Sequence, residues 1–397
     1  MTTSFTAAPD TASRNPILIS VGTRPEIIKM APVYAELRRR GMPVAWVHTG
    51  QHREMAESLY SFFDIAPEHE VMLERRNGSL AHLNALLLEG LSDVFEKVRP
   101  SAVLVHGDTT STLGSAQAAF YLDIPIGHVE AGLRTFNARE PFPEEKNREL
   151  TARLARWHFA PTPGAAANLN GEGLAAGGVH MVGNTAVDAA LAGTSRLAEL
   201  LGSGRLALPG PLQRLQPHLA RCRLITVTAH RRENWGPGIR NIARAVARLL
   251  AAHDDLAVVW PVHGNPAVSD VVHAELGALA DRLEGRLCLC PPLDYPALLW
   301  CLQHSLLALT DSGGIQEEGA ALSCPVLVLR STTERPELIE AGAGLIVGTD
   351  ADHVLATVTQ LLKGGAELKR MRRAVNPFGD GHTARRIADV LAREIEA

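Results

Sequence analysis

Short apolar runs alternate with helix-patterned segments from residue 16 almost to the end of the chain, and most runs stop at a cluster of glycine and polar residues. In the first half the runs are Pro16–Val21, Val44–His48, Ala102–His106, Ile124–Val129, one near Phe159 and one near His180–Val182. In the second half they are Leu224–Thr228, Ala257–Pro261, Leu287–Cys290, Leu306–Leu309, Pro325–Leu329 and Gly344–Val347. Runs this short and this uniformly apolar read as strands covered on both faces, the mark of a parallel sheet. Strand and helix in alternation predict an α/β chain of two doubly wound, Rossmann-like domains with parallel sheets. The expected boundaries are a disordered tail at 1–15, a first domain at 16–183, a second at 184–378, and a C-terminal helix within 379–397 that can cross back to the first domain. Gly183-Asn184-Thr185 reads as the hinge. An amphipathic helix is expected from Glu145 to about Trp157.

The length, 397 residues, suits two domains with large cores. Apolar residues at 46% and charged residues at 21% are ordinary for a globular enzyme. A net charge of −4 argues against a nucleic-acid partner. The five cysteines are odd in number and form no CxxC pair, which reads as a reducing cytoplasm rather than a disulfide framework or zinc ribbon. No apolar run approaches the length of a membrane span.

Ligands of doubly wound sheets bind beyond the carboxyl ends of the strands. The polar residues there are the candidates. After Leu309 the chain reads Thr310-Asp311-Ser312-Gly313-Gly314, and a helical pattern starts at Ile315. Free N–H groups and the dipole at a helix start suit a phosphate or diphosphate, and glycines let it approach closely. Glu318, one turn on, is placed to accept from sugar hydroxyls. The same residues also fit a tight turn with a Ser cap. Asp108 and Glu130 end consecutive runs, and Glu144-Glu145 follow in the next loop. Several carboxylates at one rim suit proton abstraction and return, although Asp108 is equally placed to cap the following helix. His106 and His128 beside these acids also fit a metal site, but histidines inside apolar strands read first as hydrogen-bonded core residues, and no metal is expected. Arg24, Lys29, His230, Arg231 and Arg335 stand at strand ends or helix starts as candidate diphosphate partners. The turn at Ser312 lacks GxGxxG spacing, so a nicotinamide site is not expected.

Seven blocks carry a family resemblance: Gly22-Thr23-Arg24-Pro25-Glu26, His106-Gly107-Asp108-Thr109-Thr110-Ser111-Thr112, Gly127 to Thr135, Pro143-Glu144-Glu145, His230-Arg231-Arg232-Glu233-Asn234, Asp311 to Glu318, and Thr332 to Glu337. They resemble the bacterial non-hydrolysing UDP-N-acetylglucosamine 2-epimerases, in order, from Ile17 to about His382. The resemblance implies a fold like that of the GT-B glycosyltransferases, with the active site in the cleft between domains, and usually a homodimer. It implies a cytoplasmic isomerase that interconverts UDP-N-acetylglucosamine and UDP-N-acetylmannosamine for cell-envelope polysaccharides, with no cofactor and no metal. UDP would leave to give a 2-acetamidoglucal and then add back. By motif, Asp108, Glu130, Glu144 and His230 are catalytic, the individual roles of the three acids being unassigned. Arg24, Lys29, Ser312, Gly313, Gly314, Glu318 and Arg335 hold the UDP-sugar. In some members a second UDP-N-acetylglucosamine activates, and Gln51, Arg231 and His263 match residues used for it. The rival readings are a hydrolysing or modified-sugar 2-epimerase of the same fold, a GT-B glycosyltransferase, and a silent UDP-sugar sensor.

Overall fold

The computed structural model describes residues 15–51, 53–174, 178–283 and 285–395. The expected tail lies outside them except for Asn15, as does His52. The chain divides into two units, one running to Thr185 and resuming at His382, the other spanning Ala186–Gly381.

In the first unit the elements are β1 (Ile17–Val21), α1 (Arg24–Arg39), β2 (Val44–His48), α2 (Arg53–Phe63), β3 (His69–Glu70), α3 (Leu80–Val98), β4 (Ala102–His106), α4 (Thr110–Tyr121), β5 (Ile126–Val129), α5 (Glu144–Leu154), β6 (Trp157–Ala160), α6 (Pro163–Gly171) and β7 (Val179–Met181). The seven strands are parallel in the order β3-β2-β1-β4-β5-β6-β7. Chain order reverses between β1 and β4, which opens a crevice at their carboxyl ends. Every residue of β1, β4, β5 and β6 is buried, which is why these strands read as unbroken apolar runs. The expected helix to Trp157 stops earlier, at Leu154. Trp157 is instead the first residue of β6, almost fully buried and in register with Gly127.

The second unit holds α7 (Thr185–Gly202, whose first residue is the last of the first unit), α8 (Gly210–Leu215), β8 (Arg223–Thr228), α9 (Pro237–Ala252), β9 (Leu256–Pro261), α10 (Pro266–Arg282), β10 (Leu287–Cys290), α11 (Tyr295–His304), β11 (Ser305–Thr310), α12 (Gly313–Ala321), β12 (Val326–Val328), α13 (Pro336–Glu340), β13 (Gly344–Ile346), α14 (Ala351–Gly364) and α15 (Ala366–Arg372). Its six parallel strands run β10-β9-β8-β11-β12-β13, so the reversal falls between β8 and β11. One core joins Ile225, Val227, Leu307 and Leu309 to Ile242, Val246 and Leu249 of α9 and Val354 and Val358 of α14. The last helix, α16 (Thr383–Ile395), belongs to the first unit, where Arg40 Nη1 meets Asp389 Oδ1 at 2.7 Å.

His128 and His158 are cross-strand neighbours inside the first sheet, and both are buried. Nε2–H of His128 donates to the Gly107 carbonyl at 2.7 Å, so this residue is a hydrogen-bonded core histidine that braces the turn after β4. Burial drives both down from the ordinary 6.5, His128 to about 3 and His158 to about 4, with Arg134 adding to each effect and the Gly107 bond opposing it at His128. The unfolded chain takes up these protons near pH 6.5 and the folded chain does not. The stabilisation is therefore complete above pH 6.5 and falls as the pH drops toward 4, by roughly 3 kcal/mol for His128 at pH 4. Urea unfolding should show a clear loss of stability from pH 7 to pH 4. His128→Gln should be less stable at pH 7 but show a shallower slope; identical slopes would refute the assignment.

Candidate active site

At the rim of the first unit one buried carboxylate ties two turns together. Glu26 of α1 accepts from the N–H groups of Gly22 and Thr23 at 2.7 and 2.6 Å, and from the hydroxyls of Thr109 and Thr112 at 2.5 and 3.0 Å. The chain after β1 is thereby fixed to the start of α4, at the sheet's reversal point. The cap of α4 is Thr109, whose hydroxyl accepts from the Thr112 N–H at 3.1 Å. Asp108, read as a possible cap, is thus left for other work.

Asp108 Oδ2 lies 2.7 Å from Arg148 Nη2, and the Asp108 carbonyl accepts from Asn147 Nδ2 at 2.9 Å. Burial pushes its carboxyl up to about 6; Arg148 and His106 oppose this, while Glu130 and Glu144 reinforce it. Glu130 follows β5 at φ +63°, a left-handed conformation that costs a non-glycine residue roughly 1–2 kcal/mol and that functional sites often retain. Its Oε2 lies 2.5 Å from Lys29 Nζ and 3.1 Å from His106 Nε2. The structure thus brings Lys29 to an acid of its own unit. The two adjacent glutamates at the start of α5 part company. Glu144 is half-buried, and its charge is felt by Asp108. Glu145 is fully buried and accepts from the N–H groups of Thr135 and Phe136 at 3.0 and 2.8 Å, holding the loop that leads out of Glu130. Arg148, which the sequence reading missed, reaches both Asp108 and Glu145. Arg24 is the half-buried first residue of α1, and Gln51 stands after β2, its side-chain carbonyl accepting from Ser111 Oγ at 2.8 Å.

The rim of the second unit is built around the turn after β11. Ser312 occupies the cap position of α12, yet its hydroxyl makes no capping bond, so the plain capped-turn reading does not hold. The first-turn N–H groups of a helix lack intrahelical partners. A Cβ added at Gly313 or Gly314 would meet no atom of the described residues within 4 Å. The chain's own packing therefore gives no reason for glycine at either position, although glycine costs about 1 kcal/mol in a helix relative to alanine. Gly319 is different, because its Cβ would stand 2.6 Å from Val326 Cγ2. A ligand seated on the backbone would account for the first pair. Gly314→Ala should leave the melting temperature unchanged or slightly raised. On that reading it should weaken UDP binding about tenfold, because a methyl group would fill space the ligand needs. Calorimetric titration checks this, and equal affinities would remove the turn from the site.

His230 and Arg231 follow β8, and their backbone N–H groups donate to Asp311 Oδ2 at 2.9 and 2.8 Å. The His230 ring stacks on His263, with centroids 5.6 Å apart and planes 12° from parallel. Arg335 Nε donates to Glu317 Oε1 at 2.6 Å, and Glu317 is fully buried on α12. Glu318, on the same helix, is half-buried. In each unit the candidates stand in the segments that follow the carboxyl ends of the parallel strands.

A profile of the UDP-N-acetylglucosamine 2-epimerase family matches residues 35–392. The UDP-N-acetylglucosamine 2-epimerases of Salmonella typhimurium and Escherichia coli K12 are each 42% identical to this chain, over 94% of it and 98% of their own length. Among solved structures, the Neisseria meningitidis UDP-GlcNAc 2-epimerase bound to UDP-GlcNAc superposes with a TM-score of 0.85 at 37% identity, covering 96% of this chain and all of that one. The S. aureus MnaA–UDP co-structure gives 0.82 at 37% identity, over 96% of this chain and 97% of that one. With GT-B-like sheets, a glycine turn free of packing constraint and a carboxylate-rich rim, this chain belongs to the UDP-N-acetylglucosamine 2-epimerase family.

Proposed function

We propose that this protein interconverts UDP-N-acetylglucosamine and UDP-N-acetylmannosamine by eliminating UDP and adding it back. The observation that carries the reading is the pair of acids ending β4 and β5, which sit in different electrostatic surroundings. The carboxyl of Asp108, at about 6, can hold or release a proton near neutrality, whereas Glu130 has an ammonium at 2.5 Å to match its charge. Inversion at carbon-2 needs a base on one face and a proton donor on the other, and two such groups supply them.

The proton at carbon-2 is only weakly acidic. If one carboxylate removes it while the anomeric carbon–oxygen bond breaks, the electron pair forms a carbon–carbon double bond and the diphosphate leaves with the other pair. The product is 2-acetamidoglucal and UDP. The first turn of α12, Arg335 and His230 are the groups we assign to the departing charge, with Glu318 on the ribose. A proton then reaches carbon-2 from the opposite face as the diphosphate oxygen returns to the anomeric carbon. Incubating the protein with UDP-N-acetylglucosamine alone tests this: the expected product is UDP-N-acetylmannosamine. Free N-acetylmannosamine would point to a hydrolysing enzyme, and turnover only with an added acceptor would point to a glycosyltransferase.

Gln51, Arg231 and His263 remain candidates for an activating UDP-N-acetylglucosamine. On that reading the reverse reaction from pure UDP-N-acetylmannosamine should lag until a trace of UDP-N-acetylglucosamine is present. Full initial velocity without it would exclude the activator.

A further inference from the structure

Asp311 is fully buried where β11 ends. Its Oδ2 accepts three N–H groups: the backbone of His230 at 2.9 Å, the backbone of Arg231 at 2.8 Å, and Asn234 Nδ2 at 2.9 Å. These donors lie 77 to 81 residues earlier in the chain and come within reach because β8 and β11 are neighbours. The other oxygen, Oδ1, is buried with no hydrogen-bond partner among the described residues, and Nδ1 of His230 faces it at 3.5 Å. A carboxylate oxygen shut away from water and without a donor is costly. The group placed to relieve it is the imidazole of His230. The distance is long for a hydrogen bond, and such contacts commonly tighten once a ligand fills the site.

Two further contacts restrict the same ring and its loop. The indole N–H of Trp235 donates to the His230 carbonyl at 2.9 Å. The stacked His263 ring is itself fixed, because its Nδ1 accepts from the Asn265 N–H at 3.1 Å. The stack limits the tilt of the His230 plane, which leaves Asp311 to decide where the ring's proton lies.

We propose that Asp311 is a positioning residue for His230, keeping the imidazole proton on Nδ1 so that Nε2 is the nitrogen that faces the diphosphate and is protonated when that anion binds. With a carboxylate behind it, the imidazole takes up a second proton at Nε2 from solvent when the anionic diphosphate binds, and that N–H donates to the leaving oxygen as the anomeric bond breaks and to the same oxygen when the bond reforms. This is the logic by which a buried acid orients a histidine in hydrolytic triads. Burial lowers the pKa of His230, and His263 and Arg231 lower it further, while Asp311 raises it. The catalytic part of the proposal rests on the reading of His230 as the group beside the diphosphate. The tautomer assignment does not.

The test uses the full-length protein labelled with ¹⁵N-histidine, with the His230 signals identified by their loss in His230→Asn. Two-bond ¹⁵N–¹H spectra of the wild type at pH 7.5 should show the neutral Nδ1–H tautomer at His230. In Asp311→Asn the three N–H donors require the amide oxygen at the Oδ2 position, so the amide NH₂ must face His230 Nδ1. The tautomer should flip to Nε2–H, and kcat should fall at least tenfold with KM near the wild-type value. An Nε2–H tautomer in the wild type overturns the proposal without recourse to any variant, and so does an unchanged tautomer in Asp311→Asn. A flipped tautomer with unchanged kcat overturns the positioning role and leaves the epimerase reading intact. A wild type that shows the Nδ1–H tautomer but never epimerises its substrate overturns the epimerase reading alone.

Discussion

Asp108→Asn and Glu130→Gln should each lower kcat about 10²-fold or more, the usual consequence of losing an acid–base group in the transition state. Both changes remove a titrating oxygen with almost no change of shape, so KM should move far less than kcat. The two variants differ in what they leave behind. Asp108→Asn frees Arg148 from one carboxylate, but Arg148 keeps Glu145 at 3.4 Å, so folding should be nearly unaffected. Glu130→Gln removes the carboxylate charge 2.5 Å from the almost buried Lys29, so a modest loss of stability is expected alongside the loss of turnover. In heavy water the wild-type product should carry one deuterium at carbon-2, and in both variants incorporation should slow in step with epimerisation. Product that keeps its original hydrogen would refute elimination and re-addition. Turnover within tenfold of wild type in both variants would remove these two acids from the reaction.

The sheets were largely legible from the sequence because their central strands are buried on both faces and leave unbroken apolar runs. β1 and β4 were read nearly to the residue for that reason. β3, two residues at the edge of its sheet, leaves no such pattern. Trp157 shows how a helical period can run on through a residue that the sheet claims. After a helix ending at Leu154, local pattern alone cannot tell a buried helix face from the first residue of a buried strand. At the candidate site, proximity to strand ends selects residues but does not reveal their partners. Lys29 was read toward a diphosphate, and the structure pairs it with Glu130, 101 residues away. Glu144 and Glu145 look alike in sequence, and only the register of α5 sends one into the interior. Asp311 was in view as part of a phosphate turn. Its bond to the His230 loop depends on which strands are neighbours, and the reversal of strand order between β8 and β11 is the signal that could have suggested it.

Arg335→Ala should lose about 3–5 kcal/mol of stability and weaken UDP binding by roughly 10²-fold. The first effect follows from its partner. Glu317 is fully buried, and the Arg335 guanidinium, itself only 15% exposed, donates to it from Nε. Removing the guanidinium from one side of such a pair takes the matching charge from a buried carboxylate, which costs more than the pair contributed while intact. The second effect is the expected one for a cation that also serves the diphosphate. The two can be separated. Arg335→Ala combined with Glu317→Gln removes the buried carboxylate's charge as well, so much of the lost stability should return while UDP binding stays weak. Glu317→Gln alone keeps the guanidinium and should bind UDP within a few-fold of wild type, provided the arginine holds its place. If affinity for UDP recovers together with stability in the double variant, Arg335 acts only by supporting α12, and the diphosphate is held by the helix start and its glycines. If affinity stays low after stability is restored, the guanidinium reaches the ligand itself, and the Arg335–Glu317 pair is the means by which α12 aims it.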